Sequence, residues 1–117
     1  MKIQYLEIVT SDVDAVCACY AAPLGAEFGA ADPHLGGART AVLPDGGSVG
    51  VRPPLRDAER PIVRPYWFVD DVEAALETAA KQGAVVAVPP MEIPGRGTIA
   101  IYIQGAVDHG LWQTAGG

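Results

Sequence analysis

Residues 2–10, Lys-Ile-Gln-Tyr-Leu-Glu-Ile-Val-Thr, alternate between two faces, with Ile3, Tyr5, Glu7 and Val9 on one and Leu6 and Ile8 on the other. A period of two predicts a strand. The period then lengthens: Val13, Val16, Cys17 and Tyr20 recur at i, i+3, i+4 and i+7, which predicts a helix capped by Ser11 or Asp12 and stopped by Pro23 and Gly25. Three weaker strands are expected at about 26–31, 38–43 and 48–53. Asp32-Pro33 with Gly36-Gly37 makes the first break, and Pro44-Asp45-Gly46-Gly47 is a hairpin signal. Residues 53–61 are polar with proline at both ends, and are the best linker candidate.

After residue 61 the order repeats. Ile62 to Val69 suits a strand, and Asp70 or Asp71 caps a helix carrying Val72, Ala75, Leu76 and Ala79 at helical spacing, with Gly83 just past its end. Strands follow at about 84–90, 97–103 and 108–113, with the intervening Pro/Gly-rich segment expected as a turn. Ser11-Asp12-Val13-Asp14-Ala15 aligns with Asp70-Asp71-Val72-Glu73-Ala74, and Gly25-Ala26 with Gly83-Ala84. The pattern is two copies of a β-α-β-β-β unit, each with an open sheet face that needs covering. The expected class is α+β: two βαβββ modules forming a cupped mixed sheet with helices on the outer face. Residues 1–117 make one domain, with module 1 at about 1–53, a linker at about 54–61 and module 2 at about 62–117.

Half of the 117 residues are apolar, and 14 Gly and 10 Pro give a compact, turn-rich composition. A net charge of −6 with eight scattered Lys/Arg argues against a nucleic-acid partner. Arg52, Arg56, Arg60 and Arg64 are the one loose basic group, read as a solvated linker with room for one functional member. No apolar run reaches the ~18–20 residues of a membrane span, and Met-Lys-Ile-Gln-Tyr enters a strand without a signal, transit or lipidation motif. A cytoplasmic protein without a membrane partner is expected. Cys17 and Cys19, two apart on a helix, point to nearly opposite sides and are expected as small buried or half-buried thiols.

The paired modules and their Ser/Asp-Asp-Val-Asp/Glu-Ala helix starts resemble the vicinal-oxygen-chelate, or glyoxalase/bleomycin-resistance/dioxygenase, superfamily. The carriers are Phe68-Val69-Asp70-Asp71-Val72-Glu73-Ala74-Ala75, Val88-Pro89-Pro90-Met91-Glu92-Ile93-Pro94-Gly95 and Gly110-Leu111-Trp112-Gln113, with Tyr5-Leu6-Glu7-Ile8-Val9-Thr10-Ser11-Asp12 at the opening. They are similar to a glyoxalase-like subgroup with no settled reaction. The resemblance implies a cup between modules, metal ligands of His, Glu or Gln type on the first and last strands of each module in metal-using members, and a homodimer. Those ligand positions fall here on Tyr5, Arg64, near Gly50, and on Gly110 when counted back from Leu-Trp-Gln. Counted forward from Gly105, the last falls on His109. Tyr, Arg and Gly do not make a divalent-metal site, so no metal cofactor is expected; the alternative is one divalent metal ion.

The expected ligand-binding residues are Tyr5, Glu7, Arg64, Tyr66, Phe68, His109 and Trp112, with Glu7 the one catalytic candidate. Glu7 suits a general base or an anchor for a ligand donor. Equally, it is a structural carboxylate, paired with Arg64 across the seam of the cup, while Arg64 could hold an anionic ligand. Tyr66, Phe68 and Trp112 are the cup-facing aromatics, with Trp67 on the opposite face. His34 belongs to an exposed loop, Gly95-Arg96-Gly97 to a strand-to-strand turn, and Met91 and Glu92 to a mobile rim.

The favoured function is a metal-free protein binding a small apolar or aromatic molecule in the cup. The alternative is a glyoxalase-like lyase, isomerase or dioxygenase with a divergent site. A partner-binding module whose cup is filled by its own side chains is the third possibility.

Overall fold

The computed structural model describes residues 1–116. The elements run β1 (Ile3–Val9), α1 (Val13–Leu24), a 3-10 turn (Pro33–Leu35), β2 (Arg39–Val42), β3 (Ser48–Arg52), β4 (Ile62–Phe68), α2 (Val72–Lys81), β5 (Val85–Ile93), β6 (Gly97–Gln104) and β7 (Val107–Thr114). The fold is α+β, with parallel and antiparallel pairing mixed, as the two changes of period predict. The chain forms two compact units, Tyr5–Val63 and Met1–Gln4 with the chain from Arg64 onward.

In the first unit, residues 5–63, the strand order is β2-β3-β1, with β1 parallel and β2 antiparallel to β3. The helix face is apolar: Ile8, Ala41, Val49 and Val51 enclose Cys17 of α1, and Leu6, Val13, Val16 and Tyr20 pack around them. Burial pushes the Cys17 thiol up, whereas Cys19 is exposed. Helix α1 runs through Pro23 into its last turn and ends at Gly25, whose left-handed backbone lets its N–H donate to Ala21 O at 3.0 Å. The strand expected at 26–31 does not form. An Asp32 Oδ1 that accepts from His34 N, with Pro33 at the first helical position, nucleates the 3-10 turn instead. Beside β2 the segment keeps a hydrogen bond from Gly29 N to Thr40 O at 2.9 Å, and Asp32 forms an isolated bridge with Ala38.

In the second unit the order is β4-β7-β6-β5, with β4 parallel to β7 and the other neighbours antiparallel. Helix α2 covers one face, burying Val72 and Leu76 against Ala100 and Leu111. Its start is capped by Asp71, whose Oδ1 accepts from Ala74 N at 3.0 Å, an arrangement worth about 1 kcal/mol. A second donor of that first turn, Val72 N, goes to Gln113 Oε1 of β7 at 2.9 Å. The strand expected at about 84–90 runs on through Met91 and Glu92, which are strand rather than a turn or rim. Pro89 and Pro90 lie within this β5 at the sheet edge, with register shifts on either side of Val88. Proline has no N–H to give a ladder, so an edge with irregular register is where it fits.

The glycines of the last strands have a packing role. A Cβ at Gly50 would overlap the Tyr5 phenol, and one at Gly110 would overlap the Tyr66 ring. Gly110→Ala should therefore lower unfolding stability by about 1–3 kcal/mol through overpacking. Gly29→Ala, whose new methyl meets nothing closer than Thr40 O at 4.0 Å, should stay within about 0.5 kcal/mol of the parent. Urea denaturation of both variants checks the contrast, and equal losses would count against this packing.

Candidate functional site

Because Leu6 and Ile8 point at α1, strand alternation sends Tyr5, Glu7 and Val9 to the other face of the first unit, where they are 3%, 8% and 1% exposed. Glu7 stands opposite Gly50 in the register, and Tyr5 opposite Ser48. Two residues beyond Gly50, and on the same face, lies Arg52, which is 5% exposed. Its Nε donates to Glu7 Oε2 at 2.8 Å. Its Nη1 and Nη2 donate in parallel to Glu59 Oε1 and Oε2 at 2.9 and 2.8 Å. Nη1 also donates to Pro53 O at 3.1 Å, and Glu59 Oε1 accepts from Leu55 N at 2.7 Å.

The expected solvated linker is thus a folded strap, fastened by a carboxylate to a buried guanidinium. Arg52 was grouped by sequence with Arg56 and Arg60, which are exposed. Its position at the end of a strand, in phase with Gly50, separates it from them. The Glu59 hydrogen bond holds the Arg52 guanidinium well above its already high usual range, against the opposing effect of burial, with Glu7 adding to it. Reciprocally, the Arg52 hydrogen bond holds the Glu59 carboxyl down to about 2 from the ordinary 4.5, against desolvation and with help from Leu55 N–H.

In the second unit, Arg64 Nη2 donates to Asp108 Oδ2 at 2.9 Å. Tyr66 and Trp112 are each 4% exposed and meet edge to face, centroids 5.8 Å apart at 89°, a geometry worth ~0.5–1.5 kcal/mol beyond burial. Trp112 Nε1 donates to Arg96 O at 3.1 Å, which ties the Gly95-Arg96-Gly97 turn to β7. Phe68, opposite Trp112 in the register, is 36% exposed, with Lys2 Nζ 5.9 Å from its ring centre. The Gly-Leu-Trp-Gln run has a separate physical duty at each position. Gly110 admits the Tyr66 ring, Leu111 packs under α2, Trp112 completes the aromatic pair and Gln113 caps α2.

His109 does not join this set. Gly110 shares the face of Tyr66 and Trp112, so alternation places His109 with Leu111 on the α2 side. There it stacks on Tyr102, centroids 5.2 Å apart, with Nε2 3.2 Å from Gln104 O. Counting back from Leu-Trp-Gln lands on the face of Tyr66 and Trp112, and counting forward from Gly105 lands on the α2 side. His34 sits in the 3-10 turn.

The donor set can be tested against a divalent cation. Gly50 and Gly110 offer no side chain, and tyrosine rings fill the space where one would project. Glu7 and Asp108, the carboxylates on the two faces, are engaged by Arg52 and Arg64. Among the described residues no three His, Cys, Asp or Glu side chains are grouped as metal donors. The residues present do not fit the metal of the metal-using relatives.

The ion network gives a pH prediction. A carboxyl held down on folding adds stability that is full above the unfolded value near 4.5 and is lost as pH falls toward about 2. Thermal denaturation between pH 6 and 2 should therefore show Glu59→Gln less stable than wild type at pH 6. The two should converge as pH falls through that window. A gap that stays constant to pH 2 would contradict the assignment.

A family model described as the Glyoxalase/Bleomycin resistance protein/Dioxygenase superfamily matches residues 2–108. No curated protein matches the chain. Among solved structures, the chain is similar to a Streptomyces coelicolor methylmalonyl-CoA epimerase in complex with 2-nitronate-propionyl-CoA, at 20% identity, TM-score 0.68 and 98% coverage of each chain. A methylmalonyl-CoA epimerase from Mycobacterium tuberculosis matches at 18% identity and TM-score 0.73, covering 97% of this chain and 87% of that one. A hypothetical protein from Bacillus halodurans C-125 matches at 13% identity and TM-score 0.74, covering 99% and 96%. At such identities these structures establish the fold, and the family model spans both helices and most of the strands. The chain belongs to the Glyoxalase/Bleomycin resistance protein/Dioxygenase superfamily.

Proposed function

We propose that this protein binds a small apolar or aromatic molecule without recruiting a divalent metal. The observation that supports the reading is that the strand positions the resemblance assigns to donors hold Gly50 and Gly110, each covered by a tyrosine ring. A cation at those positions would lack the imidazole, carboxylate or thiolate donors it needs. Binding then rests on shape and aromatic contact.

Of the predicted aromatics, Tyr66 and Trp112 are too buried to meet a ligand and serve as its supporting wall. Phe68 is the accessible ring, next to Trp112 and under the Lys2 ammonium, so an anionic group on the ligand is compatible with this end of the face. A small organic ligand is also in keeping with the Streptomyces epimerase structure, which holds 2-nitronate-propionyl-CoA. The alternative, an enzyme in which Glu7 moves a proton, weighs less, because Glu7 Oε2 is already 2.8 Å from Arg52 Nε.

Trp112 beside Phe68 supplies an internal probe. Screening aromatic fragments by tryptophan fluorescence should find compounds that quench saturably, unaffected by a chelator. Phe68→Ala should weaken them by about tenfold, equivalent to ~1.4 kcal/mol, with little change in melting temperature. The reading fails if no fragment saturates, if Phe68→Ala leaves affinity unchanged, or if the chelator abolishes binding.

A further inference from the structure

We propose that the guanidinium fork of Arg52 is a receptor for small carboxylates, occupied within the chain by Glu59. The site lies wholly in the first unit and is independent of the Phe68 reading.

The geometry divides Arg52 into two parts. Its Nε is committed to Glu7 of β1 at 2.8 Å. Its stem packs on the 3-10 turn, where a Cβ at Gly36 would sit 3.0 Å from Arg52 Cδ. Neither contact involves Glu59, so the body of the unit positions the guanidinium by itself. The remaining edge, Nη1 and Nη2, is the face that matches a carboxylate in two parallel bonds. Glu59 takes that edge at 2.9 and 2.8 Å.

Glu59 reaches it from a segment that is neither helix nor strand. Pro53, Leu55, Arg56, Asp57, Ala58 and Arg60 around it are exposed, Leu55 at 65%. The other bonds of Glu59, from Leu55 N and through its own N–H to Arg56 O, stay inside that strap. Lifting the strap therefore uncovers a buried, preoriented fork and leaves no strand pairing broken. A free carboxylate would replace the same two charge-assisted bonds. In the intact chain it competes with a tethered one, whose effective concentration for so short a connection is in the millimolar range or above. The wild-type site is self-occupied for that reason, and ligand entry is an exchange of one carboxylate for another.

Glu59→Gln keeps the size of the side chain and removes the charge that competes. Benzoate titrations followed by the Arg52 Nε–Hε resonance should show Glu59→Gln binding at least about tenfold tighter than wild type, since ionised acceptors bond roughly twice as strongly as neutral ones. Glu59→Asp, still charged but one methylene short of the fork, should gain less; it also serves if Glu59→Gln does not fold. Adding Arg52→Lys to Glu59→Gln keeps the positive charge but removes the fork, and should abolish the gain. Phe68→Ala should leave these titrations unchanged, which separates this site from the aromatic one. The proposal is overturned if Glu59→Gln and Glu59→Asp bind benzoate no better than wild type. It is equally overturned if Arg52→Lys retains the gain, or if chloride shifts the resonance as well as benzoate does.

Discussion

A strand position without a side chain lets a neighbouring ring lie against the backbone, and this happens once in each unit. Gly50 accepts the Tyr5 phenol and Gly110 the Tyr66 ring. The family resemblance read from the sequence assigns donor positions here. Here the space is occupied by tyrosine, and a methyl group at either glycine overlaps the ring. Packing takes up the volume that a side chain at either glycine would need.

Charged residues share these faces. Glu7 is 8% exposed and carries a charge whose desolvation costs several kcal/mol if left uncompensated. Arg52 supplies the compensation, and its own remaining donors draw in Glu59 and Pro53 O. A buried ion network of this kind contributes little net stability compared with apolar packing, but removing one member strands the others. It fixes where the strap at residues 53–61 lies. The second unit shows a related economy, with Asp108 held by Arg64 and the neighbouring ring pair Tyr66–Trp112 closed by an N–H bond to Arg96 O.

Much of this was legible in the sequence because it depends on period and caps. The alternation through Tyr5, Glu7 and Val9, the helical spacing of Val72 and Leu76, and the Asp71 cap all specify local geometry directly. Gly50 and Gly110 were legible as strand positions without a side chain, though the rings that fill them were not. Three things were not legible. The Pro/Gly-rich segment after residue 90 signals a turn locally, yet the sheet continues through Met91 to Ile93 as an irregular edge strand. Residues 26–31 were expected as a strand, but they run irregularly alongside β2, with Gly29 N bonded to Thr40 O, before the 3-10 turn begins at Pro33. Arg52 looks like its neighbours Arg56 and Arg60, and only the register opposite Ile8 and Val9, with Glu59 folding back across seven residues, reveals it as buried. Such long-range partners leave no signal in spacing.

The proposed metal-free binding rests on the tyrosine packing at Gly50 and Gly110, and metal uptake bears on it directly. Untagged protein would be incubated with nickel, zinc, iron and manganese, desalted and assayed by elemental analysis. The account predicts metal far below about one ion per chain in every case, as expected where imidazole, carboxylate and thiolate donors are missing or already paired. Retention of about one ion per chain that survives desalting would contradict it, because a bound cation of that stoichiometry requires donors that this packing does not leave free.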